Sequence, residues 1–309
     1  MHLIALLIWL FAERITKHFF HLHRMRWINP IIDFGLRHIC IKGWPSMPLV
    51  VILIFLMVLP VFLIVFSFGN SLQGFTYLVI SVIVLFFSAG PKDLREEIDE
   101  YCKALAYDDE KKVQLAAEEI IEDRASEDPY ERTINVEEAI CIQANNRLFS
   151  IIFWFVFLGS FTSSMGPLAA WTYRVIDLIR RRSSLKKKNK RDFNSDETGI
   201  HEAASFLHAV MTWVPAKLTA LGYATAGHAD NAIAALRTPG EDIDDAMPKS
   251  SEKLLARVGL AALAINENEE ETIHERAIRG AVAAKRLVSR LLFIWAAVIA
   301  MLTLYGFTR

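Results

Sequence analysis

The chain lacks a CxxC pair, a sizeable net charge of either sign, and any sustained period-2 apolar alternation outside its long apolar runs. Each absence removes a class of protein. Cys40, Cys102 and Cys141 stand far apart and read as reduced packing thiols in a cytoplasmic setting, not as a disulfide frame or a metal site. His38, two residues before Cys40, does not change that, so no metal is expected. A formal net charge of −1 gives no argument for nucleic acid as a partner. Without strand periodicity no strand-based domain is expected. Residues 1–12 also lack a basic leading segment and a small-residue cleavage site. They read as a half-span or interfacial helix, not a signal peptide.

What is present is apolar. Of 309 residues, 53% are hydrophobic, high for a protein wholly in water and low for one wholly in lipid. Residues 48–68 form the cleanest span, residues 69–71 a tight uncharged turn, and residues 72–89 a returning span. Residues 91–134 turn acidic and polar and read as a solvated helical pair, with Leu105, Val113, Leu115, Ile120 and Ile121 as packing groups. Asn135 is the expected cap of the next helix. Residues 203–227 are again largely apolar, with Lys217 their only formal charge and Pro215 expected to kink or start a helix. Residues 291–307 form a last uncharged span.

Charge orients these spans. With crossings near 1–12, 48–68, 72–89, 148–161, 165–179 and 291–307, the segments 13–46, 91–147 and 180–290 share one side. The basic run 180–191 (RRRSSLKKKNKR) marks that side as cytoplasmic and reads as a topology signal in contact with anionic lipid. Both termini are then periplasmic, and residues 203–227 are re-entrant or buried in the bundle. The expected fold is all-α: a polytopic helical membrane bundle with cytoplasmic helical insertions. Its parts are residues 1–92 (N-terminal membrane helices), 93–134 (cytoplasmic helical segment) and 135–182 (central membrane hairpin). Then follow 183–200 (basic linker), 201–286 (cytoplasmic or re-entrant helices) and 287–309 (C-terminal membrane helix).

The central hairpin carries the candidate site. From Leu148 to Tyr173 it holds no charged residue, and residues 159–167 (GSFTSSMGP) signal a turn. At its feet stand Asn145, Arg147, Tyr173, Arg174 and Asp177. Arg174 and Asp177 are three residues apart, on one helix face. Such groups at the edge of a buried hairpin mark a site, or else snorkel to the headgroups. Arg14, Arg147, Arg174 and Lys217 come from four separated segments, each near the inner end of an apolar stretch. Glu13 and Asp177 are their nearest expected acidic partners. Two negative charges against four positive ones leave room for an anion, so a pocket at the cytoplasmic face is expected, with Tyr173 and Asn145 supplying hydrogen bonds. Thr219, two residues beyond Lys217, is expected to face elsewhere.

Residues 213–221, WVPAKLTAL, resemble the WVPARLTAL stretch of the CobD/CbiB cobalamin-biosynthesis proteins. Gly166-Pro167 with Tyr173-Arg174, and Glu13-Arg14, are similar to further points of that family. The closer resemblance is to the AmpE family of the same superfamily. It rests on Phe11-Ala12-Glu13-Arg14, Asn145-x-Arg147, Trp213-Val214-Pro215, Gly227-His228 and the ending at residues 299–306 (IAMLTLYG). The departures from CobD/CbiB are acidic: no Gly-Asp-Pro follows Glu13-Arg14, and His208 and Ala209 stand where that family has an acidic pair.

The AmpE resemblance implies an inner-membrane modulator linked to β-lactamase induction and cell-wall stress, taking an anionic small molecule at Glu13, Arg14, Asn145, Arg147, Tyr173, Arg174, Asp177 and Lys217. The CobD/CbiB resemblance implies the alternative, a synthase joining a carboxylic acid to an amino alcohol or its phosphate, with Mg-nucleotide as cofactor. No residue is assigned a catalytic role. A third reading is a helical scaffold whose polar residues only hold the bundle together. The expected partners are the lipid bilayer, the anionic ligand, and a second copy or another inner-membrane protein.

Overall fold

The computed structural model describes residues 28–39, 45–68, 75–88, 94–162, 164–189, 195–238, 247–266 and 271–305. Within them the protein is helical, with no strand. The helices are α1 (Ile28–Ile39), α2 (Ser46–Phe68), α3 (Phe75–Ser88), α4 (Leu94–Ala106), α5 (Glu110–Ile121) and α6 (Pro129–Ala144). A π-helical turn (Asn145–Phe149) leads into α7 (Ser150–Phe161). Then come α8 (Met165–Asn189), α9 (Ser195–Ala226), α10 (Ala229–Arg237), α11 (Met247–Leu263) and α12 (Ile273–Leu304).

The chain divides into two compact units. The first comprises Met1–Pro91, Ser150–Thr212 and Val298–Arg309, and the second Lys92–Phe149 and Trp213–Ala297. In the first unit α7 and α8 form the expected hairpin, and α8 also packs on α2 and α3. Its core includes Val50, Leu53, Val84, Trp171, Val175, Ile179 and Ala204. Gly166 makes the hairpin close: a Cβ there would stand 2.8 Å from the Phe155 carbonyl oxygen. Pro60 lies inside α2, and the Trp171 indole N–H donates to the Met57 carbonyl of the same turn at 3.2 Å.

Among the described residues, three helical stretches are long and apolar enough to cross a membrane: Ser46–Ser67, Pro129–Phe161 and Ile273–Leu304. The most apolar windows of the first and last are only 28% and 22% buried, so those two offer apolar side chains to their surroundings, while the middle one, 72% buried, is mostly packed inside the protein. Phe55, Phe66, Phe293 and Leu304 are among the exposed apolar groups, a liability in water and the expected surface in lipid. Thr76–Ser88 is a shorter apolar helix.

The second unit is built on α4 against α5, α6 against α5 and α11, and α10 against α11. Local chemistry sets its helix ends. Asp128 caps α6, accepting from the N–H groups of Tyr130 and Glu131, with Pro129 as the first helical residue. Asn135 is therefore inside α6 and not its cap. Thr272 and Glu275 make a reciprocal capping box at the start of α12. Leu105, Val113 and Ile120 are buried as expected, whereas Leu115 is 66% exposed.

Helix also covers most of the segment expected to be linker, because α8 runs to Asn189 and α9 starts at Ser195. Pro215 lies within α9 rather than starting a helix.

Candidate functional site

In the first unit, α8 gathers charge around Asp177, which is completely buried. Arg174 donates from Nη1 to Oδ2 at 2.9 Å, and Arg180 from Nη2 to Oδ1 at 3.2 Å. Arg181 Nε lies 2.8 Å from Oδ2. The three arginines stand three residues before, three after and four after the aspartate, the spacings that share a helix face. His208 on α9 closes the far side, with Nε2 3.6 Å from Asp177 Oδ1 and 3.3 Å from the Tyr173 hydroxyl. Its Nδ1 is 3.4 Å from Thr212 Oγ1, which fixes the ring plane.

The cluster gathers three cations and a histidine on one buried carboxylate. The Arg174 side chain is 1% exposed, and those of Arg180 and Arg181 are each 19% exposed. Arg180 and Arg181 are therefore the members of the cluster that reach the surface. Arg182 faces elsewhere and pairs with Asp33, 2.9 Å from Nε to Oδ1. That hydrogen bond raises the guanidinium pKa above its ordinary value.

In the second unit Arg147 is the centre. It sits on the π-helical turn, a geometry that inserts a residue into the helix and re-aims side chains. Nη1 donates to both oxygens of Glu97, at 2.8 and 2.7 Å. Nη2 donates to Glu122 Oε1 at 2.8 Å and Nε to Gln143 Oε1 at 3.1 Å. Glu122 ends α5 in the left-handed region, φ 61°, a conformation that disfavours a side chain. Here it puts a carboxylate within reach of Arg147.

The expected site residues thus fall into two groups. Tyr173, Arg174 and Asp177 come together in the first unit. In the second, Asn145 and Arg147 share the π-helical turn, and Asn145 accepts a hydrogen bond from Thr219 at 2.9 Å. Lys217 is exposed, its ammonium 3.7 Å from the Trp213 ring centroid, while Thr219 faces the buried side of α9. Glu13 and Arg14 lie outside the described residues.

Several members went unnoticed in the sequence. Arg180 and Arg181 were expected to serve topology and lipid, although their spacing from Asp177 already allowed the pairs. His208 figured only as a departure from a family pattern. Glu97 and Glu122 carry no local signal, since they are 50 and 25 residues from Arg147.

The Mg-nucleotide of the synthase alternative needs carboxylates grouped around a metal. Among the described residues no group of three or more His, Cys, Asp and Glu side chains is placed to hold one.

A family model described as "Regulatory signalling modulator protein AmpE" matches residues 1–308. No curated protein and no solved structure matches the chain.

Proposed function

The chain belongs to the AmpE family, and from that premise we propose that it is an inner-membrane modulator of β-lactamase induction and cell-wall stress that responds to an anionic small molecule. The observation that carries the ligand reading is the gathering of Arg174, Arg180 and Arg181 on the single carboxylate of Asp177. The ligand assigned to the outer edge of that cluster is a phosphate or carboxylate, because guanidinium groups recognise those anions and Arg180 and Arg181 are partly exposed there. Binding there competes for the donors that hold Asp177, and so couples ligand to the packing of α8 on α9.

The charge pattern supports a multi-pass orientation with both termini in the periplasm, since the long basic segments fall on one side. Reporter fusions at residues 1 and 309 test this. Activity of a cytoplasmic reporter at either end would refute it.

The functional test is complementation in a bacterium deleted for its own homologue, with β-lactamase induction as the readout and membrane abundance measured alongside. The double variant Arg180→Gln, Arg181→Gln is expected to reach wild-type abundance and fail to restore induction. Mass spectrometry of anionic metabolites copurifying with wild type should show species absent from the variant. Full restoration together with an unchanged metabolite profile would refute the ligand reading.

A further inference from the structure

Away from the Asp177 cluster, the second unit holds a cleft of about 500 Å³, within the size range of small-ligand sites. One wall is a stripe of α12 that includes Arg279, Arg286 and Arg290, spaced by seven and four residues and therefore on one face. The opposite side is formed by Gly227 and His228, at the start of α10, and by Ala262 and Leu263, at the end of α11. Glu275 is the acidic group in the lining, and Glu271 engages Arg279, 2.8 Å from Nε. Arg286 and Arg290 are exposed.

We propose that this cleft holds the phosphate headgroup of an anionic membrane lipid. Three observations favour that occupant. First, the lining pairs arginines with alanine, leucine, isoleucine and valine side chains, a surface for a molecule with a charged head and an apolar body. Second, Arg290 is the last charged residue of α12, and residues 291–304 are uncharged and apolar, so the arginine stripe ends where the helix reaches the depth of phosphate groups. Third, α10 begins at the cleft with His228 as its N-cap residue, and His228 makes no side-chain cap hydrogen bond. The first N–H groups of a helix are donors suited to a phosphate oxygen.

Gly227 keeps this geometry. A Cβ there would lie 2.5 Å from the Ala262 carbonyl oxygen and 2.9 Å from the Ala262 Cβ. His228 N–H donates to the same carbonyl at 2.9 Å, tying the start of α10 to the end of α11. The side of the cleft facing α12 is therefore fixed by backbone contact between the start of α10 and the end of α11.

The test uses the full chain, delipidated in neutral detergent, with thermal unfolding and native mass spectrometry as readouts. Phosphatidylglycerol should raise the unfolding temperature and remain bound, while phosphatidylcholine should do neither. Arg286→Gln with Arg290→Gln should weaken retention by about fivefold per arginine, roughly 25-fold for the pair. Leu263→Trp, which fills the cleft and keeps every charge, should also abolish the shift. Glycerol phosphate and inorganic phosphate should give no shift at the same concentration. An equal shift from either soluble phosphate would reassign the cleft to a soluble ligand and overturn the proposal. So would an undiminished phosphatidylglycerol shift in both variants, or no shift in the wild type.

Discussion

Thr219 donates its hydroxyl to Asn145 Oδ1 across 2.9 Å, and both side chains are wholly buried. The bond joins the middle of the WVPAKLTAL segment to the first residue of the π-helical turn. It explains why a threonine sits among small apolar neighbours such as Ala216 and Ala220 on the buried side of α9. Asn145 also donates to Asn146 Oδ1 at 3.2 Å, so the turn carrying Arg147 is held by side chains as well as backbone.

Replacing Thr219 with valine keeps the shape and removes the donor. A buried amide oxygen then loses its partner, which costs about 1–3 kcal/mol. A lowered unfolding temperature in detergent is expected, while Thr219→Ser should lose less. Equal losses for valine and serine would mean that packing, not the hydrogen bond, governs the position.

Arg147 should tolerate no substitution well. Arg147→Ala leaves Glu97, 4% exposed, without its main partner, and breaking a buried pair costs about 3–5 kcal/mol. Arg147→Lys restores charge but cannot serve Glu97, Glu122 and Gln143 together, because an ammonium lacks the planar fork. The expected order of stability is wild type, then lysine, then alanine. Glu97→Gln combined with Arg147→Gln should recover part of the alanine loss. A lysine variant as stable as wild type would contradict this geometry.

Burial pushes the Cys102 thiol up to about 11, with Asp99 adding to the rise and Lys285 opposing it. The folded value thus exceeds the ordinary 9.0, so the stabilising contribution is complete below pH 9 and falls away as pH rises toward 11. Maleimide labelling of Cys102, followed by peptide mass spectrometry, should be slow at neutral pH. It should accelerate only as the pH climbs well past 9. Rapid modification at pH 7 would show the thiol to be more exposed than this packing allows.

Gly259 meets Cys141 where α11 crosses α6. An added Cβ would stand 2.5 Å from Sγ and 2.7 Å from Cβ of Cys141. Gly259→Ala should destabilise by about 1–3 kcal/mol despite the better helix propensity of alanine. Unfolding temperatures settle the sign: a more stable alanine variant would mean that the two helices separate at little cost.

How far the site could be read from the sequence depended on the range of each interaction. Arg174 and Asp177 were legible because one helix turn separates them, and the α7–α8 hairpin because an uncharged run was divided by a turn signal. Asp128-Pro129 was a stronger helix start than Asn135, since a capping aspartate was followed by a proline with φ already set. Within the basic run at 180–191, the pairing of Arg180 and Arg181 with Asp177 was missed because position along the chain was read before spacing. Glu97 and Glu122 could not be found at all. Their approach to Arg147 depends on how α4 and α5 fold back, and on a left-handed residue that no local pattern specifies.

The contact between Trp171 and Met57 bears on the order in which the chain can be completed. The two residues are 114 positions apart. At translation rates of about 5–20 residues per second, Trp171 is made roughly 6–23 seconds after Met57. Throughout that interval the turn containing Pro60 is without its indole donor, in a helix that hydrocarbon would otherwise surround. A newly made α2 therefore lacks one of its cross-helix hydrogen bonds until α8 arrives beside it.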